Sequence, residues 1–303
     1  MQKINTTLPP ATSFQFLNDY WTLTKPRVVL LMLITSIVGM LLAAKTPIAW
    51  DTFFWTMIGL GFAMGGAAAI NQTLDEHIDK IMQRTQERPV ASGRIQPLNA
   101  FIFSGILCTT SMLILYFFIN PLTALLTFIG VVTYAFTYTL FLKRATPQNI
   151  VIGGIAGALP PLLGWTAVTG AVHPHAWLLV LIIFVWTPPH FWALSVHRCN
   201  DYKNAAIPML PVTHGIEFTK NNIILYTALL LLCCLLPYLT GMSGKIYLFG
   251  TLAINLLFLY HTIKLKLDKT NQHAMKTFTF SIIHLFLLFI FLLVDHYFAV
   301  PAF

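Results

Sequence analysis

The chain has 303 residues, of which 57% are hydrophobic and 9% are charged, and its mean hydropathy is +0.74. This composition excludes a soluble globular domain, in which about a quarter of the residues are charged, and it places the chain in a lipid bilayer. The net charge of +8 does not indicate a nucleic-acid-binding protein, because no long basic block is present and the lysines and arginines gather in alternate loops.

The chain begins with a polar and aromatic segment, residues 1–24, which lacks the apolar core and cleavage site of a signal peptide. Nine apolar runs follow, each near the 20 residues that a helix needs to cross about 30 Å of hydrocarbon. None alternates like a barrel strand. We predict an all-α polytopic membrane protein whose nine transmembrane helices form one bundle, at approximately 28–44, 52–74, 99–118, 122–142, 150–170, 176–198, 222–241, 246–264 and 278–298.

The basic residues favour one orientation of this bundle. With the N-terminus in the cytoplasm, 16 of the 18 lysines and arginines face the cytoplasm, and Lys45 and Lys245 are the exceptions. We therefore expect a single transmembrane domain over 1–303, with chemistry at the cytoplasmic face, where most ionisable side chains lie. Its cytoplasmic parts are predicted to include the N-terminal segment 1–24 and two catalytic loops, 75–98 and 199–221.

Three polar side chains mark the end of the second span. Asn71, Asp75 and Asp79 are spaced four residues apart, so on a helix they form one row about 12 Å long. Oxygen ligands without neighbouring cysteine or clustered histidine favour Mg²⁺ over zinc or copper. The alternative is a solvated helix end whose acids neutralise Lys80 and Arg84.

Glycine and proline interrupt the fifth and sixth spans, so both helices are predicted to be kinked. The small residues leave room for a large ligand inside the bundle, or they only allow the helices to pack closely. A dry apolar slot is predicted from the run Gly65 to Ala69 and from four aromatic residues that could equally be plain core, namely Tyr134, Tyr138, Phe191 and Trp192.

A second acidic loop follows the sixth span. Asp201 is its one acid before Glu217, and Arg198 and Lys203 flank it. Alone this is a weak signal. Together with the first loop it suggests that Asp201 faces the first acids across the bundle, and that a diphosphate bridges cations between the two loops.

These segments resemble the intramembrane prenyltransferases related to the 4-hydroxybenzoate polyprenyltransferases, and within that family the branch that makes heme O. The general signature is Asn-x-x-x-Asp-x-x-x-Asp, present as Asn71, Asp75 and Asp79. The features typical of the branch are Arg84-Thr85, Arg88-Pro89, Gly93, Lys143 to Asn149, Gly157 to Pro161, Pro189 to Leu194, Asp201-Tyr202 and Ile207 to Pro211. Many relatives carry a second Asp in the later loop where this chain has Ala205, which puts a complete second metal site in doubt.

The resemblance implies a Mg²⁺-dependent enzyme that transfers the farnesyl group of farnesyl diphosphate to a vinyl carbon of heme B, releasing diphosphate. It implies metal ligation by Asn71, Asp75, Asp79 and Asp201. The implied diphosphate-binding residues are Lys25, Arg84, Arg88, Lys143 and Lys203, with Arg94 as a further candidate. The residues expected to be catalytic are Asp75, Asp79, Asp201, Lys203 and Arg84.

Heme B is expected as a substrate rather than a resident cofactor, and His190 and His197 are the candidate heme-binding residues. The expected location is the bacterial inner membrane, with the lipid bilayer as partner and contact with a downstream heme A synthase or terminal oxidase. Two alternatives stay open at this point. One is a prenyltransferase of the same superfamily acting on an aromatic or quinone precursor, and the other is a cation-coupled transporter whose acids bind the coupling ion.

Overall fold

The structure, a computed structural model, describes residues 13–298, so the first twelve residues of the predicted N-terminal segment, among them Lys3, lie outside the described range. Within that range every regular element is helical. The α-helices are α1 (Ser13–Leu23), α2 (Pro26–Ala43), α3 (Trp50–Leu74), α4 (Glu76–Ile81), α5 (Pro97–Ile114), α6 (Pro121–Val132), α7 (Lys143–Ala145), α8 (Asn149–Ala158), α9 (Pro160–Thr169), α10 (Pro174–His197), α11 (Cys199–Asn204), α12 (Leu210–Thr213), α13 (Ile216–Leu239), α14 (Lys245–Leu267) and α15 (His273–Phe298). Two π-helical segments, Leu115–Ile119 and Thr133–Leu142, extend α5 and α6.

Nine stretches in the described part of the chain are long and apolar enough to cross a membrane, as predicted. Six of these spans are single helices, namely α2, α3, α10, α13, α14 and α15. The other three combine consecutive helical segments and run over Pro97–Ile119, Pro121–Ala145 and Asn149–Thr169. The chain is therefore a multi-pass integral membrane protein.

Two of the spanning helices begin earlier than their hydropathy predicts. α13 begins at Ile216 and α15 at His273, each several residues before the predicted apolar run. In the first of these extra turns, Glu217 lies 3.1 Å from Lys220 and 2.7 Å from Lys266. These ion pairs hold polar helical turns beyond the hydrocarbon, which an apolar-run criterion cannot detect.

A short helix that was not predicted, α1, precedes the first span. Large apolar side chains cover its exposed side, including Phe14, Leu17 and Trp21. Its Asp19 is buried and accepts a hydrogen bond from Arg94 Nε at 3.0 Å. An exposed apolar side is typical of a helix that lies in the membrane interface, and the ion pair ties this helix to the loop after α4.

The fifth span breaks where the proline pair predicted a kink. α8 ends at Ala158 and α9 begins at Pro160, whereas α10 continues through Pro188 and Pro189 as one helix. α9 packs closely on α2, and α10 packs on α8, α9, α13 and α15. The centre of the bundle is thus built by α10 and the broken fifth span.

Two glycines let α2 and α9 approach to backbone contact. A Cβ added to Gly39 would lie 2.0 Å from the Pro161 carbonyl oxygen, and one added to Gly164 would lie 2.0 Å from that of Ser36. Neither backbone oxygen can move aside as a flexible side chain would. The close contact between α2 and α9, which we call the seam, therefore requires glycine at both positions.

Gly39→Ala is expected to destabilise the protein by about 1–3 kcal/mol, since the overpacked seam outweighs the better helix propensity of alanine. The measurement is the thermal unfolding midpoint in detergent. Gly105→Ala is the matched control, because a Cβ there meets no atom within 4 Å. Equal midpoints for the two variants would contradict the close approach.

Candidate active site

The acids predicted at the end of the second span lie in one buried row at one end of the bundle. α3 ends at Leu74, the backbone turns at Asp75, and α4 carries Asp79. The row stays continuous across this turn because Asn71 Nδ2 donates to Asp75 Oδ2 at 2.8 Å. Asn71, Asp75 and Asp79 are all buried. We call these three residues the acidic row, and this end of the bundle the polar end.

Each member of the acidic row has a basic partner that is distant in the sequence or beyond the next turn. Lys143 Nζ donates to Asp75 Oδ2 at 2.6 Å, and Arg88 Nη1 donates to Asp79 Oδ2 at 2.7 Å. Lys25 Nζ donates to Asn71 Oδ1 at 2.7 Å. Three of the predicted diphosphate-binding cations are therefore brought into contact with the three predicted metal ligands.

Acceptor atoms without a partner remain beside these ion pairs. Asp75 Oδ1 and Asn149 Oδ1 are buried and accept no hydrogen bond from any residue in 13–298. Asn149 belongs to the segment after Lys143 and donates to the Lys143 carbonyl at 3.3 Å. A buried acceptor without a donor is costly, so both oxygens fit a site that a cation or substrate completes.

The row does not form a complete cage for a metal ion. Over the described range, no three His, Cys, Asp or Glu side chains are arranged to hold one. Magnesium usually takes one or two carboxylates and completes its shell with water and substrate phosphate. The oxygen donors and the unpaired Asp75 Oδ1 thus fit a Mg²⁺ that arrives with a phosphate ligand.

Lys25 reaches the row from a strained turn between α1 and α2. Its φ of 52° lies in the left-handed region, which is uncommon for a residue with a side chain. Gln72, next to Asn71, holds this turn, because its Nε2 donates to the Leu23 carbonyl at 2.8 Å. Burial, followed by the nearby Arg88 guanidinium, lowers the pKa of the Lys25 ammonium to about 7.

The second acidic loop meets the first at the polar end. Tyr202, on α11, is buried in the same apolar cluster as Ile78 and Met82 of the first loop. Burial raises the pKa of the Tyr202 phenol, while the nearby Arg84 guanidinium acts in the opposite direction. Asp201, the preceding residue, is therefore on the same side of the membrane as the acidic row.

An apolar cavity of about 200 Å³ opens beside Lys25. Hydrophobic side chains and small residues from the first, second, fourth and fifth spans form its wall. The lining residues are Lys25, Val28, Val29, Met32, Ala63, Met64, Ala67, Ala68, Thr127, Gly130, Val131, Tyr134, Ala156, Gly157, Leu159, Pro160 and Leu163. Tyr134 comes from the π-helical segment of the fourth span, which also supplies Thr139, an acceptor for Asn71 at 3.2 Å. An extended apolar group whose charged end meets Lys25 would fit this shape.

Comparison with known proteins identifies the family. Residues 32–293 match the UbiA prenyltransferase family. The chain belongs to this family. It is 59% identical over 289 residues to the protoheme IX farnesyltransferase of Alcanivorax borkumensis, covering 94% of this chain and 95% of that protein. It is 58% identical over 280 residues to the enzyme of the same name from Legionella pneumophila (strain Paris), covering 92% and 95%. The resemblance deduced from the motifs is confirmed.

Solved structures support the UbiA fold. A structure from a study of digeranylgeranylglyceryl phosphate synthase has a TM-score of 0.77 at 21% identity, covering 92% of this chain and 98% of that chain. A UbiA homologue from Archaeoglobus fulgidus bound to GPP and Mg²⁺ has a TM-score of 0.62 at 17% identity, covering 91% and 100%. At these identities the likeness is one of fold.

Other predicted site residues of this UbiA-family protein are less tightly held. Asp201 Oδ2 lies 3.7 Å from Arg198 Nη1 without a hydrogen bond. Lys203 and His197 are exposed, and neither side chain makes a hydrogen bond or ion pair with another residue of the described range. Arg94 is engaged by Asp19 rather than by the acidic row.

Sequence reasoning assigned no role to several residues that the UbiA fold places around the row. Gln72 and Thr139 support Lys25 and Asn71, and Tyr202 joins the two loops. The position of Gln72, next to the signature Asn71, was the available signal. Of the four aromatic residues predicted to form the slot, Tyr134 lines the cavity, whereas Tyr138, Phe191 and Trp192 do not. Trp192 packs instead in the core between α10 and α13.

Proposed function

We propose that this protein transfers the farnesyl group of farnesyl diphosphate to a vinyl group of heme B, giving heme O and diphosphate. The observation that carries the proposal is the 59% identity, over 94% of the chain, to a relative named protoheme IX farnesyltransferase. The acidic row beside basic side chains and an apolar cavity supports it independently, since the substrate has a charged head and a long apolar chain.

The reaction breaks the bond between farnesyl C1 and the diphosphate oxygen, and the oxygen keeps the electron pair. Farnesyl C1 then bonds to the terminal vinyl carbon. The vinyl carbon next to the macrocycle becomes electron-poor and takes the oxygen of a water molecule, which loses one proton. The products are heme O, diphosphate and that proton, so the reaction needs no oxidant or reductant.

The basic residues stabilise the leaving diphosphate. Lys25, Lys143 and Arg88 are held at the acidic row, Arg84 lies near Tyr202 of the second loop, and Lys203 follows Tyr202 in that loop. Charge attraction among partly desolvated groups is far stronger than in water, so these cations favour the charge that develops as the bond breaks.

The proposed metal ligands are Asn71, Asp75, Asp79 and Asp201, and residue 205, where the resemblance leads us to expect a second acid of the later loop, is alanine. When bound, Mg²⁺ would neutralise diphosphate charge as a Lewis acid. Asp75, whose Oδ1 has no donor in 13–298, is the residue best placed to accept it.

The apolar cavity would hold the farnesyl chain. Its small residues, Ala67, Ala68 and Gly157, provide room, and the absence of charged groups other than Lys25 excludes water from the reacting carbon. Tyr134 lies at the Lys25 side and presents an aromatic ring to the allylic end.

The proposed location is the inner membrane of a bacterium, with the polar end in the cytoplasm. The support is the distribution of charge, because 16 of 18 basic residues then follow the positive-inside rule. The product is apolar and stays in the bilayer. Contact with an enzyme that consumes it, a heme A synthase or a terminal oxidase, is accordingly part of the proposal.

The test is an assay of the purified full-length protein with farnesyl diphosphate and Mg²⁺, offered either heme B or 4-hydroxybenzoate as acceptor. We expect a heavier, more hydrophobic heme and diphosphate released in equal amount, with no product from 4-hydroxybenzoate. Prenylation of the benzoate alone would replace the proposal with the aromatic acceptor. Absence of diphosphate release with every acceptor would favour a transporter.

Gly157→Leu is expected to raise the KM for farnesyl diphosphate roughly tenfold, since the new side chain enters space that the chain would occupy. Dimethylallyl diphosphate, which is shorter, should be affected much less. Gly105→Leu is the control, because a Cβ at either glycine meets no atom within 4 Å, but Gly105 does not line the cavity. Equal loss with both diphosphates would contradict the assignment of the cavity.

A further inference from the structure

His190 is the central ring of three stacked aromatic side chains. Its ring centroid lies 4.2 Å from that of Trp186 and 4.5 Å from that of Phe278, with interplanar angles of 17° and 27°. Both faces of the imidazole are therefore covered, by one residue of α10 and one of α15. Only the edge of the ring, with its two nitrogens, is left to interact with other groups.

A serine on α15 fixes which nitrogen carries the proton. Ser281 Oγ lies 2.6 Å from His190 Nδ1 and 2.6 Å from the Phe278 carbonyl oxygen. A hydroxyl has one proton, and a carbonyl can only accept. Both contacts are satisfied when Ser281 donates to Phe278 and accepts from His190 Nδ1–H. In the neutral ring, the lone pair is then on Nε2.

That lone pair is available. Nε2 of His190 has no hydrogen-bond partner among residues 13–298, and it does not belong to the unpaired polar atoms that are fully buried. The Trp186 indole N–H donates to the Ser281 carbonyl at 2.9 Å, which holds the serine in place. Ser281, itself held by Trp186, thus fixes the orientation of the imidazole, and Nε2 is left free to bind a metal.

A histidine whose Nδ1–H is held by a neighbour and whose Nε2 is free is the usual arrangement of a metal ligand. No cage of three metal-binding side chains exists in the described range. A lone imidazole can hold only a metal that brings most of its own ligands. Porphyrin iron does so, and it commonly accepts an axial histidine.

We propose that His190 is the axial ligand of the iron in the heme B substrate, and that Ser281 is a positioning residue that keeps Nε2 free for it. This inference rests on the proposed function for the identity of the substrate. His190 lies seven residues, about 10 Å along the helix, from the end of α10 near Asp201. Phe191, the next residue, packs against the apolar cluster that includes Ile78 and Tyr202, so His190 lies at the depth of the two loops proposed to hold diphosphate.

The test titrates the full-length protein in detergent with ferric heme B and, separately, with metal-free protoporphyrin IX. In the unmodified protein, heme B should bind more tightly and give the Soret band of a nitrogen-ligated iron. His190→Ala should weaken heme B binding at least about tenfold and leave protoporphyrin binding unchanged, which also shows that the variant is folded. Added imidazole should restore the Soret position.

Ser281→Ala tests the positioning role, because it keeps the histidine and removes the acceptor for Nδ1–H. We expect a shifted Soret band and a loss of heme B affinity of about tenfold. Ser195→Ala is the matched control, since the one hydrogen bond of this buried hydroxyl within residues 13–298 goes to the Trp192 carbonyl of its own helix. His296→Ala, exposed at the far end of α15, is the histidine control.

An unchanged spectrum and affinity in His190→Ala would overturn axial ligation, as would equal affinity of the unmodified protein for heme B and protoporphyrin IX. Equal effects of Ser281→Ala and Ser195→Ala would overturn the positioning role. Farnesyl transfer is measured in parallel. Turnover without histidine ligation leaves the proposed function standing, whereas ligation without turnover removes the proposed function and retains the binding site.

Discussion

Asp75→Asn is expected to lower kcat/KM for farnesyl transfer by about 10³-fold. The side chain is 1% exposed, one of its oxygens accepts from both Asn71 and Lys143, and the other has no donor in the described range. The amide has nearly the same shape but no charge, so it can neither balance Lys143 nor ligate Mg²⁺ well. The measurement is diphosphate release as a function of Mg²⁺ and farnesyl diphosphate concentration.

Glu76→Gln is the matched control for this substitution. Glu76 is the next residue, but it pairs with the exposed Lys80 at 2.6 Å and takes no part in the acidic row. It should keep activity within about twofold, because exposed ion pairs contribute little. Heme B binding should survive in Asp75→Asn. Normal turnover in that variant would remove Asp75 from the catalytic residues.

Lys25→Met is expected to reduce kcat/KM about 10²-fold, mainly through weaker stabilisation of the leaving diphosphate. Lys25 joins the acidic row to the apolar cavity, since its Nζ contacts Asn71 and its side chain lines the cavity. Methionine keeps the length and the apolar stem and removes the charge. Methionine and lysine disfavour the left-handed backbone conformation to a similar extent, so the substitution should not strain the turn further.

Steady-state kinetics with farnesyl diphosphate would show this loss, and Arg27→Met provides the comparison. Arg27 is an exposed cation two residues later, in the position of a lipid anchor. Equal losses in both variants would mean that Lys25 serves the membrane rather than the diphosphate.

The membrane architecture could be read from the sequence because hydrocarbon imposes a simple rule on it. Each span must satisfy its own backbone hydrogen bonds and remain apolar over about 20 residues. That rule locates all nine spans found in residues 13–298. It does not locate α1, whose apolar residues cover one side only, or the polar first turn of α13 at Glu217.

The acidic row was predictable because its spacing is local. Residues four apart share a helix face, and the hydrogen bond from Asn71 to Asp75 preserves that relation even though α3 ends between them. The basic partners were predictable only as residue types in matching motifs. Lys143 is 68 residues from Asp75, and no local periodicity gives the 2.6 Å contact between them.

The orientation of His190 shows the same limit. Its motif made it a candidate for heme binding, but Ser281, which decides the tautomer, lies 91 residues away on another span. Serine in an apolar helix ordinarily bonds to its own backbone, so nothing in its local sequence indicates a second partner. Only the packing of α10 on α15 brings these two side chains together.

The ion pairs at the polar end have a thermodynamic consequence. Because Lys143 and Arg88 already neutralise Asp75 and Asp79, a divalent ion that binds alone adds uncompensated positive charge to the buried site, and a diphosphate that binds alone adds uncompensated negative charge. When the two ligands bind together, each compensates the charge of the other, and no buried charge is left alone. Their binding energies should therefore be coupled, each raising the affinity of the other by the same factor.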